Sequence, residues 1–265
     1  ARRLVAHAEQ LGLPVVLKEI AKIRQGLVLV TGPTGSGKTT TQASIIHEIN
    51  QTRHDHVVTI EDPIEFYHRP AKCLISQREL GAHTLSFANA LRSALREDPD
   101  VILVGEMRDL ETMTLAMTAA ETGHLVLATL HTRSAMDTVD RVIDAFPNDQ
   151  QSQVRTVLSN ALEAVVCQQL VPRKTKGQVC ATEVLMLNLA VRNVIREGKS
   201  FQIPTMMQTQ TTAGMVTMEQ SLLALYRNGT ISGDTVIKRS NDPSIHEKLE
   251  EIKKDGARSR PRGGR

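Results

Sequence analysis

Eight consecutive residues, Gly32-Pro33-Thr34-Gly35-Ser36-Gly37-Lys38-Thr39, place glycines ahead of an ammonium and a hydroxyl. They meet every fixed position of the pattern G-x-x-x-x-G-K-[ST]. Gly32, Gly35 and Gly37 let the backbone fold into a nest of N–H donors, and the start of the helix expected from Thr40 adds positive potential. Lys38 adds a point charge for β- and γ-phosphate oxygens, and Thr39 a hydroxyl for Mg²⁺. A nucleoside triphosphate is the first ligand this set implies.

Acids and histidines follow at the ends of apolar runs. The segment from Asp98 to Val104 is an apolar strand that ends in Gly105-Glu106, the general shape of a Walker B segment, with Glu106 placed to polarise an attacking water. Many P-loop proteins carry Asp where this chain has Gly105, which leaves Mg²⁺ to Thr39, phosphate oxygens, water and Glu106. A second run, Val57 to Ile60, ends in Glu61-Asp62-Pro63-Ile64-Glu65. Carboxylates this close repel one another unless a cation or an arginine lies nearby, which suits Glu61 to a metal- or water-positioning role. In a third run, Leu125 to Leu130, histidines stand at both ends. His131, past the C-terminal end, is placed to hydrogen-bond a γ-phosphate, and His124 begins the strand with no evident role.

The elements that must position these groups alternate. Apolar strands at Leu27 to Val30, Val57 to Ile60, Val101 to Val104 and Leu125 to Leu130 are separated by helical patterns at Thr40 to Asn50, from Ser86 through Leu95, and at Leu110 to Glu121. Such alternation predicts an α/β fold with a mainly parallel sheet, whose strand C-termini share one edge. Two amphipathic pieces flank Gly12-Leu13-Pro14, the second being Val15 to Ile23. Past Leu130 the pattern predicts helices at Ala135 to Ala145 and Asp149 to Ala164. A hairpin of Val165 to Val171 with Val179 to Leu187 comes next, then helices at Ala190 to Glu197, Val216 to Arg227 and Pro243 to Ile252. The expected organisation is a lead-in (1–25), a nucleotide-binding core (26–187), a helical C-terminal subdomain (188–252) and a disordered basic tail (253–265).

Charge narrows the partners. Lys+Arg 32 against Asp+Glu 29 gives +3, but residues 253–265 alone carry six basic residues and one Asp, so the body is near −2. That balance disfavours a direct nucleic-acid binder with an extended basic face. Three separated cysteines form no C-x-x-C pair and suit a reduced cytoplasm. No run approaches the ~20 apolar residues of a transmembrane segment.

Taken together, the P-loop, the acidic box Thr59-Ile60-Glu61-Asp62-Pro63-Ile64-Glu65, the Walker B segment with Gly before Glu, and the histidine box ending at His131 resemble the secretion ATPase superfamily. Within it, Ala190-Val191-Arg192-Asn193-Val194-Ile195-Arg196-Glu197-Gly198-Lys199 is similar to a marker of type IV pilus retraction ATPases, the PilT/PilU group. Extension and type II secretion relatives usually carry a tetracysteine module after the segment that here reads Gln168 to Arg173, and this chain has none there. The resemblance implies a RecA-like motor domain that hydrolyses ATP with Mg²⁺. It further implies a homo-hexamer in the full-length protein, an inner-membrane pilus platform protein as partner, and a cytoplasmic place at that membrane. Residues 32–40 would bind nucleotide, Thr39 and Glu106 metal, while Glu106, Glu61 and His131 serve hydrolysis. The family carries a PAS-like N-terminal domain where only about two dozen residues precede the first strand here, so the resemblance reads this chain as a motor domain. A related secretion or conjugation ATPase, or a nucleotide-binding ring subunit with little turnover, are the alternatives. If Ala190, Val191, Val194 and Ile195 form the buried face of their helix, Arg192, Asn193 and Arg196 stay available for contact with a neighbour or platform.

Overall fold

A computed structural model describes residues 15–210, 214–240 and 242–258. Its centre is a sheet of seven strands: β1 (Gly26–Thr31), β2 (His56–Glu61), β3 (Leu74–Glu79), β4 (Val101–Val104), β5 (Leu125–Leu130), β6 (Leu162–Pro172) and β7 (Gln178–Met186), in the order β3-β2-β4-β5-β1-β6-β7. Neighbours pair in parallel except β6 and β7, which form the expected antiparallel hairpin. The central strands are apolar at nearly every position because both faces are covered. Along β1, Leu27 and Leu29 enter one core while Val28 and Val30 enter the other.

Two helices, α1 (Val16–Lys22) and α2 (Lys38–Thr52), cover the second of these faces. The first is covered by α3 (Phe87–Ala94), α4 (Leu110–Glu121), α5 (Ala135–Asp144), α6 (Gln151–Ala161), α7 (Leu189–Arg196) and α8 (Ile203–Thr209). Helices α9 (Met218–Arg227), α10 (Gly233–Arg239) and α11 (Ile245–Arg258) build a small core of their own with Val171, Val179 and Ala181 at the turn end of the hairpin. The segment 188–252, expected as one helical unit, is therefore divided between two cores. Side-chain caps set many of the helix starts: Ser86, Asp109, Ser134, Asn188, Thr217 and Ser232 each accept a backbone N–H of the first turn.

Several boundaries differ from the sequence pattern for identifiable reasons. The helix expected from Asp149 to Ala164 ends at Ala161, because Leu162 onward pairs with β1 and the β-branched Val165 and Val166 continue that strand. The helix expected from Val216 starts at Met218: Val216 bridges Val184, and Thr217 forms a capping box with Gln220. Strand β3 carries the polar pattern of an edge, Leu-Ile-Ser-Gln-Arg-Glu, with little apolar signal. Helix α11 runs on to Arg258, so residues 253–258 are helical rather than tail. The amphipathic piece before Gly12 and residues 259–265 lie outside the described residues. No helix among the described residues is long and apolar enough to cross a membrane.

Candidate nucleotide site

The C-terminal ends of β1, β2, β4 and β5 open onto one cavity of about 620 Å³. Thr34, Gly35, Gly37, Lys38, Thr39 and Thr40 line one side, Glu61, Asp62, Pro63 and Glu65 another, and Glu106, Arg108 and His131 a third. Four stretches far apart in sequence thus meet because parallel strands deliver their ends to the same edge. Gly32, Pro33 and Ser36 do not line the cavity; they shape the loop from behind.

The loop is fastened from below by β6. Gln168, buried, donates from Nε2 to the Ser36 carbonyl at 2.6 Å and accepts from Thr41 Oγ1 at 2.8 Å, bridging the loop to the first turn of α2. The β6 backbone passes so close that a Cβ on Gly32 would stand 2.2 Å from the Gln168 carbonyl oxygen, and Gly32 has φ +141°. Only glycine fits there. Lys38 Nζ lies over the loop, donating to the carbonyls of Gly32 at 2.9 Å and Pro33 at 3.2 Å. Burial holds its ammonium below the ordinary lysine range, while Glu106 pulls it back up.

Opposite the loop, Glu106 engages both oxygens: Oε2 meets the Arg108 guanidinium at 2.7 Å and Oε1 meets His131 Nε2 at 3.0 Å. The Arg108 hydrogen bond is the chief reason its carboxyl stays below the usual range. Arg108 also feels Asp62, so its guanidinium, paired with Glu106, lies within electrostatic reach of one acid of the box after β2. Thr129 Oγ1 donates to the Gly105 carbonyl at 2.5 Å, and the Met107 amide donates to the Thr129 carbonyl at 3.2 Å. Strand β5 thereby fixes the turn that carries Glu106. Gly105 has a physical reason as well: a Cβ would press the Ile60 carbonyl at 3.1 Å, and the Gly105 amide donates to that same oxygen at 2.7 Å.

Glu61 is buried at the end of β2, where Oε1 accepts from Thr59 Oγ1 at 2.7 Å and from Gln77 Nε2 at 3.2 Å. The following peptide, Asp62–Pro63, is cis. His124 is not at the cavity; it sits at the opposite end of β5, roughly 20 Å away at strand rise, with Nδ1 against the Ala119 carbonyl at 3.0 Å. Its place at the end of α4 is structural. Arg192 is likewise turned inward: Nη1 donates to the carbonyls of Ser159, Asn160 and Leu162, and Nη2 meets Glu163 at 2.6 Å. It closes the C-terminus of α6 and is not available as a docking group, whereas Asn193 is exposed. On the same helix Val191 and Ile195 are buried, Val194 is half-buried and Ala190 is exposed.

Arg108, Thr129, Gln168 and a buried His68 are the side chains that sequence reasoning missed. Arg108 had a signal, two residues beyond Glu106 at a strand end. Gln168 had none, since it lies 132 residues from Ser36. His68 lines the cavity and is buried, which lowers its imidazole to about 4, with His47 adding repulsion.

A nucleotide-binding P-loop domain, α/β and RecA-like, is the class that this sheet and site define. Comparison with known proteins narrows it. The family profile of the type II/IV secretion system proteins matches residues 14–239, and the chain belongs to that family. It is 55% identical over 239 residues to a twitching motility protein of Neisseria gonorrhoeae, covering 90% of this chain and 64% of the relative. It is 51% identical to the type IV pilus retractation ATPase PilT of Pseudomonas aeruginosa, covering 90% of this chain and 70% of that protein. A crystal structure of the pilus retraction motor PilT with bound ADP superposes with a TM-score of 0.86 at 51% identity, over 93% of this chain and 69% of that one. The ATPase DotB of Legionella pneumophila follows at 0.81 and 30% identity, over 89% and 66%. The chain thus spans about two thirds of the length of these relatives.

Proposed function

We propose that this chain is the ATP-hydrolysing motor domain of a type IV pilus retraction machine. The observation that carries the reading is the convergence of the P-loop, Glu61, Glu106 and His131 on one cavity, in a chain half identical to a retraction ATPase. The loop amides, Lys38 and Thr40 bind the phosphates, and His131 stands beside Lys38 to meet the γ-phosphate. Glu106, kept ionised by Arg108, is a weak base, so it orients and polarises water more readily than it strips a proton. Glu61 assists from the neighbouring strand. Arg108, mostly exposed, can exchange its carboxylate for a phosphate oxygen.

The residues present fit Mg²⁺ as a partner of the nucleotide. Among the described residues no group of three or more His, Cys, Asp or Glu side chains forms a cage, so the hard oxygen donors are the Thr39 hydroxyl, the Glu106 carboxylate, phosphate and water. The ion supplies neutralisation of phosphate charge. Assembly as a hexamer, contact with an inner-membrane platform protein and a cytoplasmic location belong to the same reading.

The test is Mg²⁺-dependent ATP hydrolysis together with Lys38→Ala. Removing the ammonium removes charge-assisted phosphate contacts of about 1.5–3 kcal/mol each, so calorimetry on the folded variant should record at least a tenfold weaker affinity, about 1.4 kcal/mol. Unchanged affinity would sink the site assignment, and binding without turnover in the wild type would leave a nucleotide-binding ring subunit.

A further inference from the structure

Gln77 lies on the edge strand β3, directly opposite Thr59 of β2 in the parallel register, and its amide is used from both ends. Nε2 donates to the Phe66 carbonyl at 2.9 Å and to Glu61 Oε1 at 3.2 Å, while Oε1 accepts the His68 amide at 2.9 Å. These partners settle the orientation of the amide. A flip would set its NH₂ against the His68 N–H and its oxygen against a carbonyl and a carboxylate. Thr59 donates to the same carboxylate oxygen of Glu61 at 2.7 Å, so two neutral donors hold Oε1 from the strand side while Glu61 itself lines the cavity. Phe66 and His68 line that cavity too. One half-buried side chain on the sheet edge therefore joins the carboxylate to the wall beside it.

We propose that Gln77 is the positioning residue for Glu61. It rests on the reading of Glu61 as a participant in hydrolysis. By donating to Oε1, Gln77 fixes the carboxylate plane relative to the nucleotide cavity, and by accepting from His68 it locks the segment that follows the acidic box. Its effect should fall on turnover rather than on nucleotide capture, because Gln77 is not among the residues lining the cavity. A misplaced catalytic group costs rate steeply with displacement.

The experiment uses two variants that separate the two ends of the amide. Gln77→Met keeps the length and removes every hydrogen bond; Gln77→Glu keeps an acceptor for the His68 amide and removes the donor that Glu61 shares with the Phe66 carbonyl. In steady-state ATP hydrolysis both should lower kcat by about tenfold with KM for ATP unchanged. In ¹³C spectra of glutamate-labelled protein, the Glu61 carboxyl resonance, identified by its absence in Glu61→Gln, should move in both. Full kcat in both folded variants, or a Glu61 resonance unmoved in both, overturns the proposal. A purely structural role for the His68 contact would instead leave Gln77→Glu near wild type, and that result also overturns it. The underlying reading fails separately, if Glu61→Gln hydrolyses ATP at the wild-type rate while the Gln77 variants still move the resonance.

Discussion

His131 donates from Nε2 to Glu106 Oε1 at 3.0 Å while its Nδ1 faces Lys38 Nζ at 3.5 Å. An ammonium only donates, so Nδ1 is the acceptor and the ring proton lies on Nε2, toward the carboxylate. One imidazole therefore links the group assigned to phosphate with the group assigned to water, and a change at either end is felt at the other.

Glu106→Gln tests that link. The amide keeps the shape but offers one acceptor oxygen where Arg108 and His131 now find two. Single-turnover hydrolysis should fall by roughly 10²-fold, with ATP still bound. Undiminished turnover would move the water-positioning role to Glu61.

Gln168→Leu tests the fastening of the loop from below. The substitution is close in volume and leaves the Ser36 carbonyl and the Thr41 hydroxyl without their partner. Calorimetry should show ATP binding weakened by about tenfold, or ~1.4 kcal/mol, in a protein that remains folded. Equal affinity would mean that the glycine backbone holds the loop unaided.

Arg192 and Asn193 should part company. Arg192→Ala leaves the last carbonyls of α6 and the Glu163 carboxylate unpaired, a loss of about 2–3 kcal/mol by urea denaturation. Asn193→Ala, at an exposed position, should stay within about 0.5 kcal/mol. Equal stability in the two variants would contradict the inward role of Arg192.

His68 predicts a pH dependence of stability. Its folded value of about 4 lies below the ordinary 6.5, so between those limits the unfolded chain binds more protons. Stability should therefore be full above pH 6.5 and decline as pH falls toward 4, by roughly 3 kcal/mol at 1.36 kcal/mol per unit. The measurement is urea unfolding across pH 4–7 for the wild type and His68→Gln, and the difference between the two curves isolates the histidine. Parallel curves would show that the ring stays solvated.

Contiguity explains what could be read from the sequence by itself. The P-loop, the acid at the end of β2, the Gly-Glu after β4 and the histidine after β5 are each local patterns, and strands of one direction bring their ends to one edge whatever lies between. Helix starts were equally local, since Ser86 and its Asn89 amide lie three residues apart. Tertiary structure alone decided which side chains hold those groups in place. Lys38 and His131 are 93 residues apart, and Thr41 and Gln168 are 127 apart. No spacing of 2 or 3.6 residues encodes such pairs. The same limit hid β3, whose half-buried edge needs few apolar residues, although it carries Gln77 to Glu61. It also reversed the reading of Arg192: helical periodicity names the buried face, but a long guanidinium reaches past its own face to whichever carbonyls the fold leaves unpaired.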